Sequence, residues 1–207
     1  MSFGFFGEPV ETEVIERIIE SNFFGEGGFS FDGSNDYLEG PSDDFGTSDF
    51  TLVYDLLWDN APSSTERFAI KSSGNNTWSF EARTGDYRLH ITDGVGSTNT
   101  YTWSITPSVN HRNIILAADR SGNATLYLNG ASQGTRDISA DSSVDLGSGN
   151  TAPQWIGHSS STLDGSLFQV RYYLEAKTSA QVLNIAKGHN DTDNLFLKLA
   201  PTSTNES

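Results

Sequence analysis

From Phe50 onward, apolar and polar residues take turns. Phe50, Leu52, Tyr54, Leu56 and Trp58 fill every second position, as do Trp78, Phe80 and Ala82, then Tyr87, Leu89 and Ile91. Tyr101, Trp103 and Ile105 repeat the pattern, followed by Ile114, Leu116 and Ala118, and by Ala124, Leu126 and Leu128. Leu163 opens a late run with Phe168, Val170, Tyr172 and Leu174. Successive side chains of a strand point to opposite faces, so each of these runs reads as a half-buried strand. Turn chemistry separates them at Thr84-Gly85-Asp86, Asp93-Gly94, Ser121-Gly122-Asn123, Asn129-Gly130 and Asp164-Gly165. Asn129-Gly130 predicts a type I′ hairpin, whose two central residues both need positive φ. Many short strands joined by tight turns predict a sandwich or barrel.

Two stretches break the period of two. Near the start, Val10, Val14, Ile15, Ile18 and Ile19 recur at helical spacing after Glu8-Pro9, and Glu11, Glu13, Glu16, Arg17 and Glu20 occupy the other face. A helix of this length is marginal alone in water, so its apolar stripe must dock. It can dock on the chain's own sandwich or on a neighbouring subunit. The flanking Phe3, Phe5, Phe6, Phe23 and Phe24 favour the neighbour and make the Val/Ile stripe a candidate assembly surface. Near the other end, Thr178 or Ser179 caps a short helix with Val182, Leu183 and Ile185 on its apolar side, and Gly188 stops it. Leu195, Leu197 and Leu199 then predict a last strand. The expected organisation is an N-terminal arm over 1–28, a sandwich over 29–200 and a polar tail over 201–207.

Charge narrows the partners. The 207-residue chain carries 12 basic and 27 acidic residues, a net charge of −15. Phosphate-rich duplexes and anionic membranes are held by Lys and Arg, so neither nucleic acid nor membrane is an expected partner. Aromatic residues make up 12% of the chain and supply a core that a hydrophobic content of 35% would otherwise leave thin. With no cysteine, disulfides, thiolate metal sites and a cysteine nucleophile are excluded. The first residues lack the basic and apolar regions of a secretory signal, and no stretch is long and apolar enough to span a bilayer.

Several pieces in order carry a family resemblance. Phe31-Asp32-Gly33 leads to Asp36-Tyr37-Leu38, and Asp49-Phe50-Thr51-Leu52 opens a long strand. His111 with Asp119 and Gly122, Leu126-Tyr127-Leu128-Asn129-Gly130, and Ile156-Gly157 follow. Gly165-Ser166-Leu167-Phe168-Gln169-Val170-Arg171-Tyr172-Tyr173 and then Ala176 to Gln181 close the series. From about Phe29 to Lys187 the chain resembles the laminin-G-like, concanavalin A-like lectin/glucanase jelly rolls. The resemblance implies an all-β fold: an antiparallel jelly-roll β-sandwich, here with a short N-terminal helical arm and a short helix near the C-terminus. It also implies one structural calcium near the first and last strands, with Asp32, Asp36 and Asp164 as candidate ligands. The competing reading of these aspartates is turn chemistry.

No enzyme is expected. Glycoside hydrolysis needs two carboxylates flanking the scissile bond, and the Glu-x-Asp-x-x-Glu strand of glucanases with this fold is absent. Gly130-Ala131-Ser132-Gln133-Gly134 matches a nucleophile elbow only by letter, since it follows a hairpin turn. His90, His111, His158 and His189 lack paired metal spacing and read as surface or hydrogen-bonded structural residues. Sugar binding would use aromatic and amide side chains in loops, with Trp155, His158, Asn99 and Asn150 as candidates, whereas Trp103 reads as core. The leading expectation is a non-enzymatic structural or decoration component of a virus particle such as a tailed phage. It would sit on the virion surface, docked through its arm to other virion proteins or identical subunits. The alternative is an extracellular carbohydrate-binding module or lectin, calcium-dependent if the aspartates bind metal, with a cell-surface glycan as partner.

Overall fold

A computed structural model describes residues 23–24, 28–39, 45–71, 76–147, 154–157, 163–189 and 195–199. The predicted helix carrying Val10, Val14, Ile15, Ile18 and Ile19 lies outside them. In chain order the strands are β1 (Phe23–Phe24), β2 (Gly28–Asp32), β3 (Tyr37–Glu39), β4 (Phe50–Trp58), β5 (Glu66–Lys71), β6 (Thr77–Arg83) and β7 (Asp86–Thr92). Then come β8 (Thr98–Trp103), β9 (Asn113–Ala118), β10 (Asn123–Leu128), β11 (Ala131–Asp137), β12 (Gln154–Gly157), β13 (Asp164–Tyr173) and β14 (Leu195–Leu199). Among the described residues one α-helix, α1 (Ser179–Ala186), precedes β14, and a single 3-10 turn covers Ser139–Asp141.

The strands form two antiparallel sheets. One has eight strands in the order β1-β2-β13-β4-β9-β10-β11, with β14 also paired to β13; the other has six, in the order β3-β12-β5-β6-β7-β8. The sandwich expected from the alternation, and the jelly roll the resemblance implies, agree with the fold observed. Inward residues of both sheets make one core, with Leu52, Tyr54, Phe80, Leu89, Trp103, Leu116 and Leu126 all fully buried. Aromatic rings pack through its centre: Phe45 stacks on Phe50 at 4.6 Å, and Phe68 lies tilted against Phe80 at 5.1 Å between centroids. Such pairs add roughly 0.5–1.5 kcal/mol each beyond the area they bury. The hydroxyls of Tyr54 and Tyr172 sit in the same core and bond each other at 2.9 Å, so neither is left without a partner.

Local chemistry behaves as the sequence predicts at two places. Asn129 and Gly130 have φ of 51° and 80°, the positive pair that the β10–β11 hairpin requires. Thr178 caps α1 in a reciprocal arrangement, its hydroxyl accepting from the Gln181 N–H while the Gln181 side chain accepts from the Thr178 N–H.

At two others the structure differs. The alternation expected through Phe168 and Leu174 is interrupted, because β13 shifts register between Leu167 and Gln169. The bulge puts an extra residue in β13, so Leu167 takes the core position and Phe168 is only half-buried, under the guanidinium of Arg112. Leu174, past the strand end, is exposed. The run through Tyr101 also ends early: β8 begins at Thr98 and stops at Trp103, leaving Ile105 outside.

What matters for function is how the two outer faces differ. On the eight-stranded sheet, Val53, Ile115, Ala117, Tyr127 and Tyr173 form a second apolar cluster, and α1 covers it with Val182 and Ile185. On the six-stranded sheet the outward positions of β6 and β7 include Ser79, Glu81, Arg83, Asp86, Arg88 and His90. None of the described elements packs over that face as α1 does over the other.

Candidate functional site

Registry across the six-stranded sheet lays polar side chains out in rows. Arg67 of β5 pairs with Glu81 of β6, which pairs with Arg88 of β7, which pairs with Thr102 of β8. In the neighbouring row Ile70, Ser79, His90 and Thr100 stand side by side. Arg83 follows two positions along β6 and therefore shares the face of Glu81. These residues surround an open depression of about 310 Å3 lined by Thr65, Arg67, Ser79, Glu81, Arg83 and His90.

Glu81 is the centre of the depression. Its side chain is only 6% exposed, because the side chains of the flanking strands lean over it. The His90 Nε2 lies 3.1 Å from one carboxylate oxygen, and the Arg67 Nε lies 3.5 Å from the other. The His90 Nδ1 meets the Thr100 hydroxyl at 2.9 Å, so both ring nitrogens are engaged. Burial by itself raises the Glu81 carboxyl, but the His90 hydrogen bond and the charges of His90, Arg67 and Arg83 outweigh it and hold the group below its usual range. Glu81 is therefore a carboxylate acceptor. Arg88 is held by Asp86 through two hydrogen bonds of 2.7 and 2.8 Å.

A second depression of about 300 Å3 opens where the sheets meet at β8, lined by Asn99, Thr100, Tyr101, Asp137, Ser139 and Ala140. Its floor is a lock. The buried Asp141 accepts from the Tyr101 hydroxyl and from the Asn99 amide. The Arg120 guanidinium donates to the carbonyls of Asp141 and Val144. Close by, Trp103 donates to the Gly134 carbonyl and Arg136 to the Thr102 carbonyl, which ties β8 to β11.

The expected calcium ligands reach one corner. Asp32 and Asp164 are register partners across β2 and β13. Each aspartate, however, has a carboxylate oxygen already engaged: Asp32 with the Ser34 N–H, Asp36 with the Asp32 N–H, and Asp164 with the Asn60 amide. Calcium takes six to eight oxygens at about 2.3–2.6 Å. Among the described residues no group of three or more His, Asp or Glu is gathered for a metal ion. Its unusual member is Glu66, which accepts from the Asp164 N–H at 3.3 Å. Burial, with the Asp164 charge adding to it against that hydrogen bond, pushes the Glu66 carboxyl up to about 7.

Of the expected sugar-binding residues, the two that are described, Asn99 and Trp155, lie apart. Asn99 lies on β8, and its amide is taken up by Asp141. Trp155 lies on β12, its backbone in register with Glu39 and Ile70. Three strands stand between them, so about 19 Å separates β12 from β8 at the spacing of neighbouring strands. Asn150 and His158 lie outside the described residues. Arg67, Ser79, Arg83 and Arg88 are the residues that sequence reasoning passes over. Their signal lies in the polar half of the alternation, whereas the apolar half is what locates strands.

Residues 32–183 match the family model described as the concanavalin A-like lectin/glucanases superfamily. No protein of curated function matches the sequence. Among solved structures, the chain is similar to the binding domain of Paraclostridial Mosquitocidal Protein 1, with a TM-score of 0.56 and 17% identity over 77% of this chain and 45% of that one. It is similar to the Botulinum neurotoxin serotype D binding domain, with a TM-score of 0.58 and 12% identity over 78% and 42%. It also resembles the binding domain of Botulinum neurotoxin DC in complex with SialylT, with a TM-score of 0.51 and 8% identity over 69% and 36%. The chain thus spans less than half of each of these domains, and at such identities the likeness is one of fold.

Proposed function

The chain belongs to the concanavalin A-like lectin/glucanase superfamily, and from that premise we propose that it is a non-catalytic glycan-binding module whose ligand sits on the bare outer face of the six-stranded sheet. The observation that carries the reading is the depression around Glu81. Sugars present clustered hydroxyls, and hydroxyls are recognised by fixed acceptors beside fixed donors. Glu81 supplies the acceptor, while Arg67, Arg83 and Ser79 supply donors on strands that a paired sheet holds rigid. That one of the similar toxin domains is in complex with SialylT supports the reading without transferring its ligand.

Hydrolysis is not part of the proposal. The depression is lined by one carboxylate, and that carboxylate is held ionised, whereas a glycosidase needs a second carboxyl kept protonated as its acid. The virion-decoration reading keeps only its sequence warrants: its assembly stripe lies outside the described residues, and the three similar structures are toxin binding domains. A glycan ligand goes with an extracellular setting.

The test is a glycan array on the purified chain, followed by calorimetry with the best binder against wild type and His90→Ala. Binding to one glycan family that weakens at least about tenfold in a folded His90→Ala variant is the expected result. A blank array from folded protein, or unchanged affinity in the variant, would overturn the reading.

A further inference from the structure

The basic residues are not spread evenly. Arg67, Arg83 and Arg88 are three of the chain's 12 and lie on three adjacent strands of one face. Elsewhere Lys71, Arg120, Arg171 and Lys177 are buried, and the guanidiniums of Arg112 and Arg136 lie over the rings of Phe168 and Trp103. Among the described residues, the depression around Glu81 is therefore the place where guanidinium groups gather on a chain of net charge −15.

One of the three is fully paired, one loosely, and the side chain of the third has no partner among the described residues. Asp86 neutralises Arg88 through a two-point contact. Glu81 is the carboxylate partner of Arg67, but at 3.5 Å, and the covered Nε of Arg67 donates to nothing. The Arg83 side chain makes no ion pair and no hydrogen bond with any described residue. Within the patch, three arginines face the two carboxylates Glu81 and Asp86, which leaves a positive charge over before His90 is counted. A buried donor without a partner calls for one. A guanidinium fork matches a planar carboxylate with two parallel hydrogen bonds, which an ammonium cannot do. Arg67 and Arg83 are diagonal neighbours across β5 and β6, about 7–8 Å apart at their bases, within reach of one anion between their ends.

Resting on the glycan-binding reading, we propose that this depression selects acidic sugars: the carboxylate of a sialic or uronic acid residue sits between Arg67 and Arg83, and Glu81 accepts from the hydroxyls of the same ring. The carboxylate is the shared chemistry, and the probes separate its sources.

The experiment titrates the full chain by calorimetry with sialyllactose, an oligogalacturonate, lactose and a cello-oligosaccharide, at low and at raised salt. The variants are Arg83→Ala and Arg83→Lys. The Arg83 side chain makes no hydrogen bond and no ion pair among the described residues, so its loss should leave the protein folded, with the melting temperature of each variant as the check. One of the two acidic probes binds and the neutral pair does not. Arg83→Ala weakens that binding about tenfold or more, Arg83→Lys falls between, and raised salt weakens it as screening requires. Sialyllactose binding identifies a sialate, and oligogalacturonate binding a uronate. Neutral probes binding as well as acidic ones, or an acidic probe indifferent to Arg83→Ala, overturns the acidic-sugar proposal and leaves the glycan reading standing. If neither these probes nor any glycan on the array binds folded protein, the glycan reading fails with it.

Discussion

Replacing Glu66 with glutamine should make the protein more stable, and only at higher pH. Glu66 is 6% exposed, beside Asp164, and its carboxyl is raised from 4.5 to about 7, by burial first. The folded state therefore holds this proton more tightly than the unfolded chain does. Between pH 4.5 and 7 the native state binds more protons, and stability falls as pH rises. The contribution of the neutral acid is fully present below about pH 4.5 and is gone once the pH has passed through 7. With each pH unit worth about 1.36 kcal/mol, the span amounts to up to about 3 kcal/mol. Glutamine keeps an oxygen to accept from the Asp164 N–H and has no charge to desolvate. The assay is urea unfolding of wild type and Glu66→Gln from about pH 4.5 to 8.5, followed by the fluorescence of the buried Trp58, Trp78 and Trp103. The variant-minus-wild-type difference should start near zero and climb toward about 3 kcal/mol, with every other titrating group cancelling in the subtraction. A difference curve flat to within about 0.5 kcal/mol, or a variant less stable at about pH 8, would refute the argument.

Other perturbations follow from the same geometry. Tyr101→Phe removes the hydroxyl that donates to the buried Asp141 and should cost about 1–3 kcal/mol in urea unfolding. Gly165→Ala should prevent folding or cost more than about 4 kcal/mol, since φ is +147° and the new carbon would lie 2.2 Å from the Leu57 carbonyl oxygen of a strand paired on both sides; a soluble variant melting within a few degrees of wild type would contradict it. Thr178→Ala removes the cap of α1 and should cost about 1 kcal/mol in the same assay, with binding to the opposite sheet unchanged.

Strands that announce themselves are those whose core-facing positions recur regularly, even where α1 also covers part of the other face, as on β4 and β9. In β4, β7 and β9 the apolar residues of every second position meet the core, so alternation alone locates them. Two strands escape it. In β5 a register shift between Arg67 and Ala69 places Phe68 and Ala69 both toward the core, which erases the period of two. β11 is an edge strand with every residue exposed or half-exposed, so it carries no apolar signal. The bulge at Phe168 misleads for a related reason: one extra residue turns every later side chain over, and no local property of Phe168 marks it.

The candidate site shows the same division. Acidic balance, absence of cysteine and lack of a glucanase carboxylate strand are properties of composition and local order, and they bear on nucleic-acid binding, thiol chemistry and the glucanase strand respectively. Alternation and turn residues determine many short strands joined by tight turns, and so a sandwich or barrel, because strand period and hairpin geometry are set within a few residues. Which sheet face is covered by α1, and which is left bare by the described elements, is decided by where α1 docks, against residues of β4, β9 and β10 that lie far from it along the chain. That Arg67, Glu81, Arg83 and His90 share one depression is decided by how β5, β6 and β7 pair. Registry between strands joins residues through hydrogen bonds across space, and the order of residues along a chain does not contain it.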